Sequence, residues 1–370
     1  MKKIKILNIV GARPNFMKIA PLFRIYKKYP QIDSVLVHTG QHSDDNMSGM
    51  FLRSLNVPNP NYVLNLDKKT PISSISSIIS GLEKVFLKEK PDLVVVVGDV
   101  NSSLAAALAA HKANIRVAHV EAGLRSRDKS MPEEINRIVI DQISDILFVT
   151  EQSGINNLKK EGIDESKIFF TGNVMIDNLI FMMPQIDLSP IVEQTGLTDK
   201  SYIVVTMHRP INVDTKEKLL LIKEILEKVI KSTGLKIVFP MHPRTRNNFK
   251  YHNFLEEVLA LKGHILTEPM GYIDFVKLVK NSSLVLTDSG GIQEEAAFLK
   301  VPTITLREST ERPSTIESGA NMLHPIGEID NLMKKIKTSI NTNRNLIKDI
   351  PLNDGKASQR IVDIILKHSK

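Results

Sequence analysis

Acids, cations and glycines recur in this chain where an apolar run of strand character gives way to a helical pattern. The richest such stretch is Leu284-Val285-Leu286-Thr287-Asp288-Ser289-Gly290-Gly291-Ile292-Gln293-Glu294-Glu295. A strand, a glycine turn and a fresh helix N-terminus together make an anion site. Glycine lets the backbone come close, and the first-turn N–H groups and the helix dipole favour phosphate. Glu295 falls roughly one turn into that helix, where a carboxylate can accept hydrogen bonds from a ribose diol. The same pattern also serves as an ordinary strand–helix connection with an N-cap, and other stretches must decide between the two.

Those stretches lie at further strand ends. Ile4 to Val10 reads as a strand that stops at Gly11, leaving Arg13 on the loop and Pro14 in the first turn of a helix running to about Lys28. Lys18 follows a turn later, so two cations flank a helix start. Asp99 and Glu121 each follow an apolar strand, Leu93–Val97 and Arg116–Val120, and Glu133 opens the next helix after Pro132. In a parallel sheet, ligands bind outside the carboxyl ends of the strands, so the three carboxylates are expected to gather in one crevice. Crowding would drive their pKa values apart, which suits general acid–base work. His208-Arg209 and Met241-His242 stand at strand ends of the second half.

Other chemistries lack their signatures. The chain of 370 residues has no cysteine, which excludes disulfides, thiolate metal sites and a cysteine nucleophile and fits a reducing cytoplasm. No Gly-x-Gly-x-x-Gly follows a strand, no Gly-x-Ser-x-Gly elbow or Walker lysine occurs, and no His-x-x-x-His pairing falls on a helical pattern. Neither a nicotinamide cofactor nor a metal is expected. The formal charge of +8 suits an anionic ligand, but its lysines are scattered as on a solvated surface, so no nucleic-acid partner is expected. The N-terminal charges interrupt any signal-peptide core, and no apolar run reaches membrane-span length.

The elements that must position these residues alternate. Amphipathic helices at Pro71–Lys88, Ser103–Ala113 and Pro132–Ile143 separate strands at Ser34–Thr39, Leu93–Val97, Arg116–Val120, Ile146–Thr150 and Ile168–Thr171. The second half repeats the pattern, with strands at Tyr202–Thr206, Leu235–Phe239, His264–Leu266, Leu284–Thr287 and Thr303–Leu306. Such alternation predicts α/β architecture: two doubly wound parallel sheets. Residues 184–200 lack clear periodicity and place a linker or an excursion nearby, and Ala357–Lys370 reads as a last amphipathic helix.

The ordered motifs resemble the non-hydrolysing UDP-N-acetylglucosamine 2-epimerases over nearly the whole chain. The resemblance rests on Gly11-Ala12-Arg13-Pro14 with Lys18, Gly98-Asp99, His119-Val120-Glu121-Ala122-Gly123-Leu124-Arg125 and Pro132-Glu133-Glu134-Ile135-Asn136-Arg137. It continues in His208-Arg209, Thr287 to Glu295 and Thr310-Glu311-Arg312-Pro313. It implies two Rossmann-like domains facing a cleft, as in glycosyltransferase-B enzymes. Residues 1–174 would carry the acids, 175–354 would bind UDP, and helix 355–370 would pack back on the first domain.

By the same resemblance Ser289, Gly290 and Gly291 would hold the diphosphate and Glu295 the ribose. Arg13, His208 and Arg312 would surround the anion, with Arg209 beside them, and Phe275 and Met270 would lie near the nucleotide. Asp99, Glu121 and Glu133 would be the acid–base set, His208 joining them, and Lys18 and Arg137 would support the site. The family's chemistry is anti elimination of UDP to 2-acetamidoglucal and re-addition with the C2 proton on the other face, without a cofactor. A UDP-sugar is the implied partner, a cytoplasmic dimer the implied setting, and cell-surface polysaccharide synthesis the implied use.

Some positions depart from the commoner pattern. Gly-Thr-Arg-Pro-Glu reads Gly11-Ala12-Arg13-Pro14-Asn15, His-Arg-Arg-Glu reads His208-Arg209-Pro210-Ile211, and a frequent Gln reads Met270. Gln41 of a Gln-His loop is kept, but Asp44 and Pro210 alter its surroundings, so weak or absent activation by a second substrate molecule is expected. A 2-epimerase of UDP-2,3-diacetamido-2,3-dideoxy-glucuronic acid is the nearest alternative, which an extra cation near the sugar C6 would favour. A UDP-sugar glycosyltransferase would have less use for three acids, and a nucleotide-sugar sensor would tolerate losing them.

Overall fold

The computed structural model describes residues 3–40, 55–67, 69–267 and 270–368. Gln41, His42 and Asp44, on which the expectation about activation rests, lie outside the described residues. The chain forms two compact units, one of Met1–Ile180 with Pro351–Lys370 and one of Phe181–Ile350.

The first unit holds strands β1 (Ile4–Val10), β2 (Ile32–His38), β3 (Tyr62–Val63), β4 (Leu93–Val97), β5 (Arg116–Ala122), β6 (Ile146–Val149) and β7 (Ile168–Phe170). They pair in parallel in the order β3-β2-β1-β4-β5-β6-β7. β4 is buried along its whole length, as a central strand covered on both faces must be. Each such valine or leucine contributes roughly 1.5–3 kcal/mol through burial. Against the sheet pack Ile78, Leu82, Val85 and Phe86 of the Pro71–Glu89 helix and the alanines of the Asn101–Lys112 helix. The last helix, Ala357–His368, belongs to this unit. Buried Asp177 caps it, accepting from Ala357 N at 3.1 Å, Ser358 N at 2.7 Å and the Ser358 hydroxyl at 2.6 Å.

The second unit holds β8 (Tyr202–Thr206), β9 (Lys236–Pro240), β10 (His264–Thr267), β11 (Leu284–Thr287), β12 (Thr303–Thr305) and β13 (Asn321–Leu323). Their order is β10-β9-β8-β11-β12-β13, again parallel throughout. In both sheets the winding direction reverses between the first and the fourth strand. β1 lies beside β4, and β8 beside β11, so the switch points fall at Gly11 with Gly98 and at Met207 with Asp288.

Part of the stretch 184–200, near which a linker or an excursion was expected, continues a helix spanning Val174–Leu188. Ile176, Leu179, Met182 and Ile186 bury one helical face, and that burial outweighs the single hydrogen bond that Pro184 removes. The bond lost is the one to the Ile180 carbonyl, and the boundary between the units follows Ile180.

Candidate active site

In the first unit the structure gathers four of the predicted residues around the ends of β4 and β5. Val97 pairs with Val120, so Asp99 and Glu121 emerge from neighbouring strands. Lys18, on the Arg13–Tyr26 helix, places Nζ 2.6 Å from Glu121 Oε2. Gly98 makes room for that ammonium. Its φ is +63°, and a Cβ there would stand 2.7 Å from Lys18 Nζ. Arg137 donates from Nε to Asp99 Oδ2 at 2.8 Å, with Nη2 2.6 Å from the same oxygen. The register between β5 and β6 shifts at Glu121, whose φ is +77°. Holding a non-glycine residue there costs about 1–3 kcal/mol, a strain typical of functional sites.

Asp99 and Glu121 are each ion-paired with a cation, and Glu133 stands exposed in the first turn of the Pro132–Ile143 helix. Helix phase explains the last point: Pro132, Glu133 and Ile135 face outward while Glu134, Asn136 and Arg137 are buried. Glu134, to which the sequence reading gave no role, accepts from Ser126 N at 2.8 Å, Arg127 N at 2.8 Å and Arg137 Nη1 at 2.9 Å. It thereby fixes both Arg137 and the loop after β5. Arg13 is exposed at the first position of its helix rather than on the loop before it. The turn into that helix is pinned by Asn15, one of the departures, whose Oδ1 accepts from Gly11 N at 3.1 Å and Ala12 N at 2.9 Å while Nδ2 donates to Val97 O at 3.0 Å.

In the second unit Ser289 is the N-cap of the Gly290–Phe298 helix, and its side chain makes no capping hydrogen bond. Gly290 and Gly291 form the first turn, with their N–H groups at the positive end of the helix dipole. Arg312 packs against Gly290 and is paired with Glu294 Oε2 at 2.8 Å and Glu311 Oε1 at 2.7 Å. Arg209 reaches Glu311 at 3.6 Å.

Asp288 organises this end of the sheet. Fully buried, it accepts from His208 N at 3.1 Å, Arg209 N at 2.9 Å and Asn212 Nδ2 at 3.2 Å, and it faces His208 Nδ1 at 3.1 Å. Burial pushes its carboxyl up, but His208 and the Arg209 and Asn212 donors hold it below the usual carboxylate range. His208 is thus oriented by a carboxylate and keeps a half-exposed ring. His208, His242, Met270, Phe275, Ile292 and Thr206 line a pocket of about 190 Å³. Glu295 is buried and accepts from the Tyr272 hydroxyl at 2.7 Å.

The first unit thus holds cation-paired acids, and the second holds a helix N-terminus beside a small pocket. The UDP-N-acetylglucosamine 2-epimerase family model matches residues 24–366. The chain belongs to that family. The UDP-N-acetylglucosamine 2-epimerase of Methanocaldococcus jannaschii is 43% identical over 366 residues, 98% of this chain and 99% of its own length. A crystal structure of the M. jannaschii UDP-GlcNAc 2-epimerase in complex with UDP-GlcNAc and UDP matches at a TM-score of 0.90 over 98% of this chain and 100% of that one. Among these epimerases, the Pseudomonas aeruginosa UDP-2,3-diacetamido-2,3-dideoxy-D-glucuronate 2-epimerase is 40% identical over 369 residues, 98% of this chain and 100% of its own. The two doubly wound units have the glycosyltransferase-B-like fold of this family.

Three residues of this epimerase-family chain join the candidate site through structure alone: Glu134, Asp288 and Tyr272. Asp288 and Glu134 sit inside the sequence motifs, but only burial distinguishes them from their neighbours. The His242 ring lies 5.5 Å from that of His208, and burial together with His208 lowers its pKa.

Glu295 yields a testable pH dependence. Burial and the charge of Glu294 raise its pKa to about 7, against the Tyr272 hydrogen bond, which lowers it. The ionised carboxylate accepts from both hydroxyls of a ribose diol, whereas the protonated form must give up an acceptor position. UDP affinity should therefore weaken as pH falls from 8 to 6, and Glu295→Gln should bind more weakly and lose that dependence. Titrating both proteins with UDP across this range subtracts the ligand's own ionisation. Parallel pH curves would remove Glu295 from the ribose contact.

Proposed function

We propose that this chain interconverts UDP-N-acetylglucosamine and UDP-N-acetylmannosamine. Membership of the epimerase family over nearly the full length, with cation-paired acids kept at the strand ends, is the observation that carries the reading. The C2 proton is not beside a carbonyl, so a carboxylate alone is a poor base for it. Breaking the C1–O bond to a stabilised diphosphate builds oxocarbenium character and acidifies C2. Helix N–H groups at Gly290 and Gly291, with Arg13, His208, Arg209 and Arg312, are assigned to the leaving diphosphate, where such stabilisation is commonly the largest catalytic contribution. Glu295 takes the ribose, and Phe275 and Met270 the uracil.

Asp99, Glu121 and Glu133 are assigned to proton transfer at the sugar, and Lys18 and Arg137 hold the first two in place. One carboxylate takes the C2 proton as UDP departs, leaving the C1=C2 double bond of 2-acetamidoglucal. UDP then returns to C1 while a proton is delivered to C2 from the opposite face. No net oxidation occurs. A cytoplasmic homodimer supplying cell-surface polysaccharide synthesis is the proposed setting, and light scattering of the purified chain checks the dimer. Weak or absent activation by a second substrate molecule is proposed as well, and strongly sigmoidal kinetics would contradict it.

The deciding experiment is incubation with UDP-N-acetylglucosamine in D₂O without metal or nicotinamide. The expected product is UDP-N-acetylmannosamine carrying deuterium at C2, with traces of UDP and 2-acetamidoglucal. Retention of the original hydrogen, or free UDP without an epimer, would overturn the mechanism. The 40% identity to the P. aeruginosa enzyme favours one second reading, epimerisation of the diacetamido uronic acid, and that sugar nucleotide is the next substrate to test.

A further inference from the structure

Behind the strand ends of the first unit runs a buried chain of charges to which the proposed proton transfers give no part. His119 lies on β5 two residues before Glu121, and its side chain is fully buried. Its Nδ1 is 2.7 Å from Asp141 Oδ1 and its Nε2 is 3.1 Å from the Gly98 carbonyl oxygen. Asp141, on the Pro132–Ile143 helix, also accepts from Gly123 N at 3.1 Å and faces Arg125 Nη2 at 2.7 Å. Arg125 in turn donates from Nε and Nη2 to the Glu161 carboxylate at 2.9 and 2.7 Å.

The partners dictate the protons on the imidazole. A carbonyl oxygen can only accept, so Nε2 must carry hydrogen. Asp141 Oδ2 accepts from Gly123 N and faces the Arg125 guanidinium, donors that a carboxylate satisfies, so Oδ1 too is an acceptor. Nδ1 must then carry hydrogen as well. Positive and negative groups alternate along the chain His119, Asp141, Arg125, Glu161, and each buried charge is compensated by its neighbours.

The two ends of this clamp hold the loops that bear the acids. Gly98 directly precedes Asp99, and Gly123 follows Glu121 by two residues. Between them β5 has slipped register, and Glu121 sits at positive φ. A strained conformation persists only where its surroundings over-determine it, and the His119–Asp141 clamp supplies that constraint. We propose that His119 is a doubly protonated positioning residue that sets the separation of the Asp99 and Glu121 carboxylates. The inference rests on the acid–base roles proposed above.

Two measurements test it. The first is a proton–nitrogen correlation spectrum of the histidine rings at pH 7.5, with His119 assigned by its loss in His119→Gln. Both ring nitrogens should show protonated shifts, and a neutral tautomer would overturn the inference without any assay of turnover. The second is a rescue. In His119→Gln the amide still donates to Gly98 O, but its oxygen faces the Asp141 carboxylate. Turnover should fall about 10- to 100-fold, the scale of a misplaced reacting group, while UDP affinity changes little; the melting temperature should fall too, because Asp141 is left buried against an amide oxygen. In His119→Gln/Asp141→Asn, amide donors and acceptors match again along the whole clamp, and turnover should recover most of that loss. Wild-type-like turnover in the single variant, or none of the loss recovered in the double variant, would overturn the positioning role. Because the spectrum is read without substrate, failure of the D₂O experiment is distinguishable from failure of the clamp.

Discussion

Asp99→Asn, Glu121→Gln and Glu133→Gln each lower turnover by about 100-fold or more, the usual size of a lost general acid or base. UDP affinity should stay nearly unchanged, because all the groups assigned to the nucleotide except Arg13 lie in the other unit. The three variants differ in their effect on folding, which makes the comparison informative. Glu121 is buried against Lys18 and Asp99 is bound to Arg137, so neutralising either leaves a poorly compensated cation. Glu133 is exposed, and its replacement should change stability by no more than about 0.5 kcal/mol. Loss of turnover in Glu133→Gln at unchanged melting temperature is therefore the cleanest sign of a chemical role. Steady-state epimerisation paired with UDP titration measures all three. Wild-type-like turnover in every one of them would remove the acid–base assignment.

Asp288→Ala has the second large effect, on both stability and nucleotide binding. Its carboxylate accepts from two backbone N–H groups and the Asn212 amide and orients His208, all at the β8–β11 switch point. Each buried donor left without an acceptor costs about 1–3 kcal/mol, so unfolding should become easier by roughly 3 kcal/mol or more. His208 and Arg209 lose their orientation as well, so UDP affinity and turnover fall together. The pH dependence follows from the depressed carboxyl pKa. A group whose folded pKa lies below its unfolded value adds stability above the unfolded pKa and loses it as pH falls through the folded one. The gap between wild type and Asp288→Ala is therefore full at neutral pH and closes in acid. Urea titrations at pH 7.5 and in acid test this, and equal midpoints at pH 7.5 would show that Asp288 is dispensable.

Much of this molecule is local in origin and was legible in the sequence. Strand β4 is a run of four valines after Leu93, and the Pro132–Ile143 helix begins at its proline; both follow from periods of two and 3.6 and from turn residues. The glycine turn at Gly290-Gly291 and the acids after β4 and β5 are likewise punctuation that neighbouring residues impose. Partnership is a different matter. Lys18 meets Glu121, Arg137 meets Asp99 and His208 meets Asp288 because β1 lies beside β4 and β8 beside β11, an order set by crossovers rather than by adjacency in the chain. Glu133 and Glu134 are neighbours with equal chemistry, yet helix phase exposes one and buries the other among the Ser126 and Arg127 amides. His119 reads as an ordinary strand residue until the fold sets a carbonyl on one ring nitrogen and a carboxylate on the other. Sequence thus determined which side chains stand at the strand ends, because that depends on local periodicity. Tertiary structure decided which charge each one faces, because burial removes the water that would otherwise screen every partner alike.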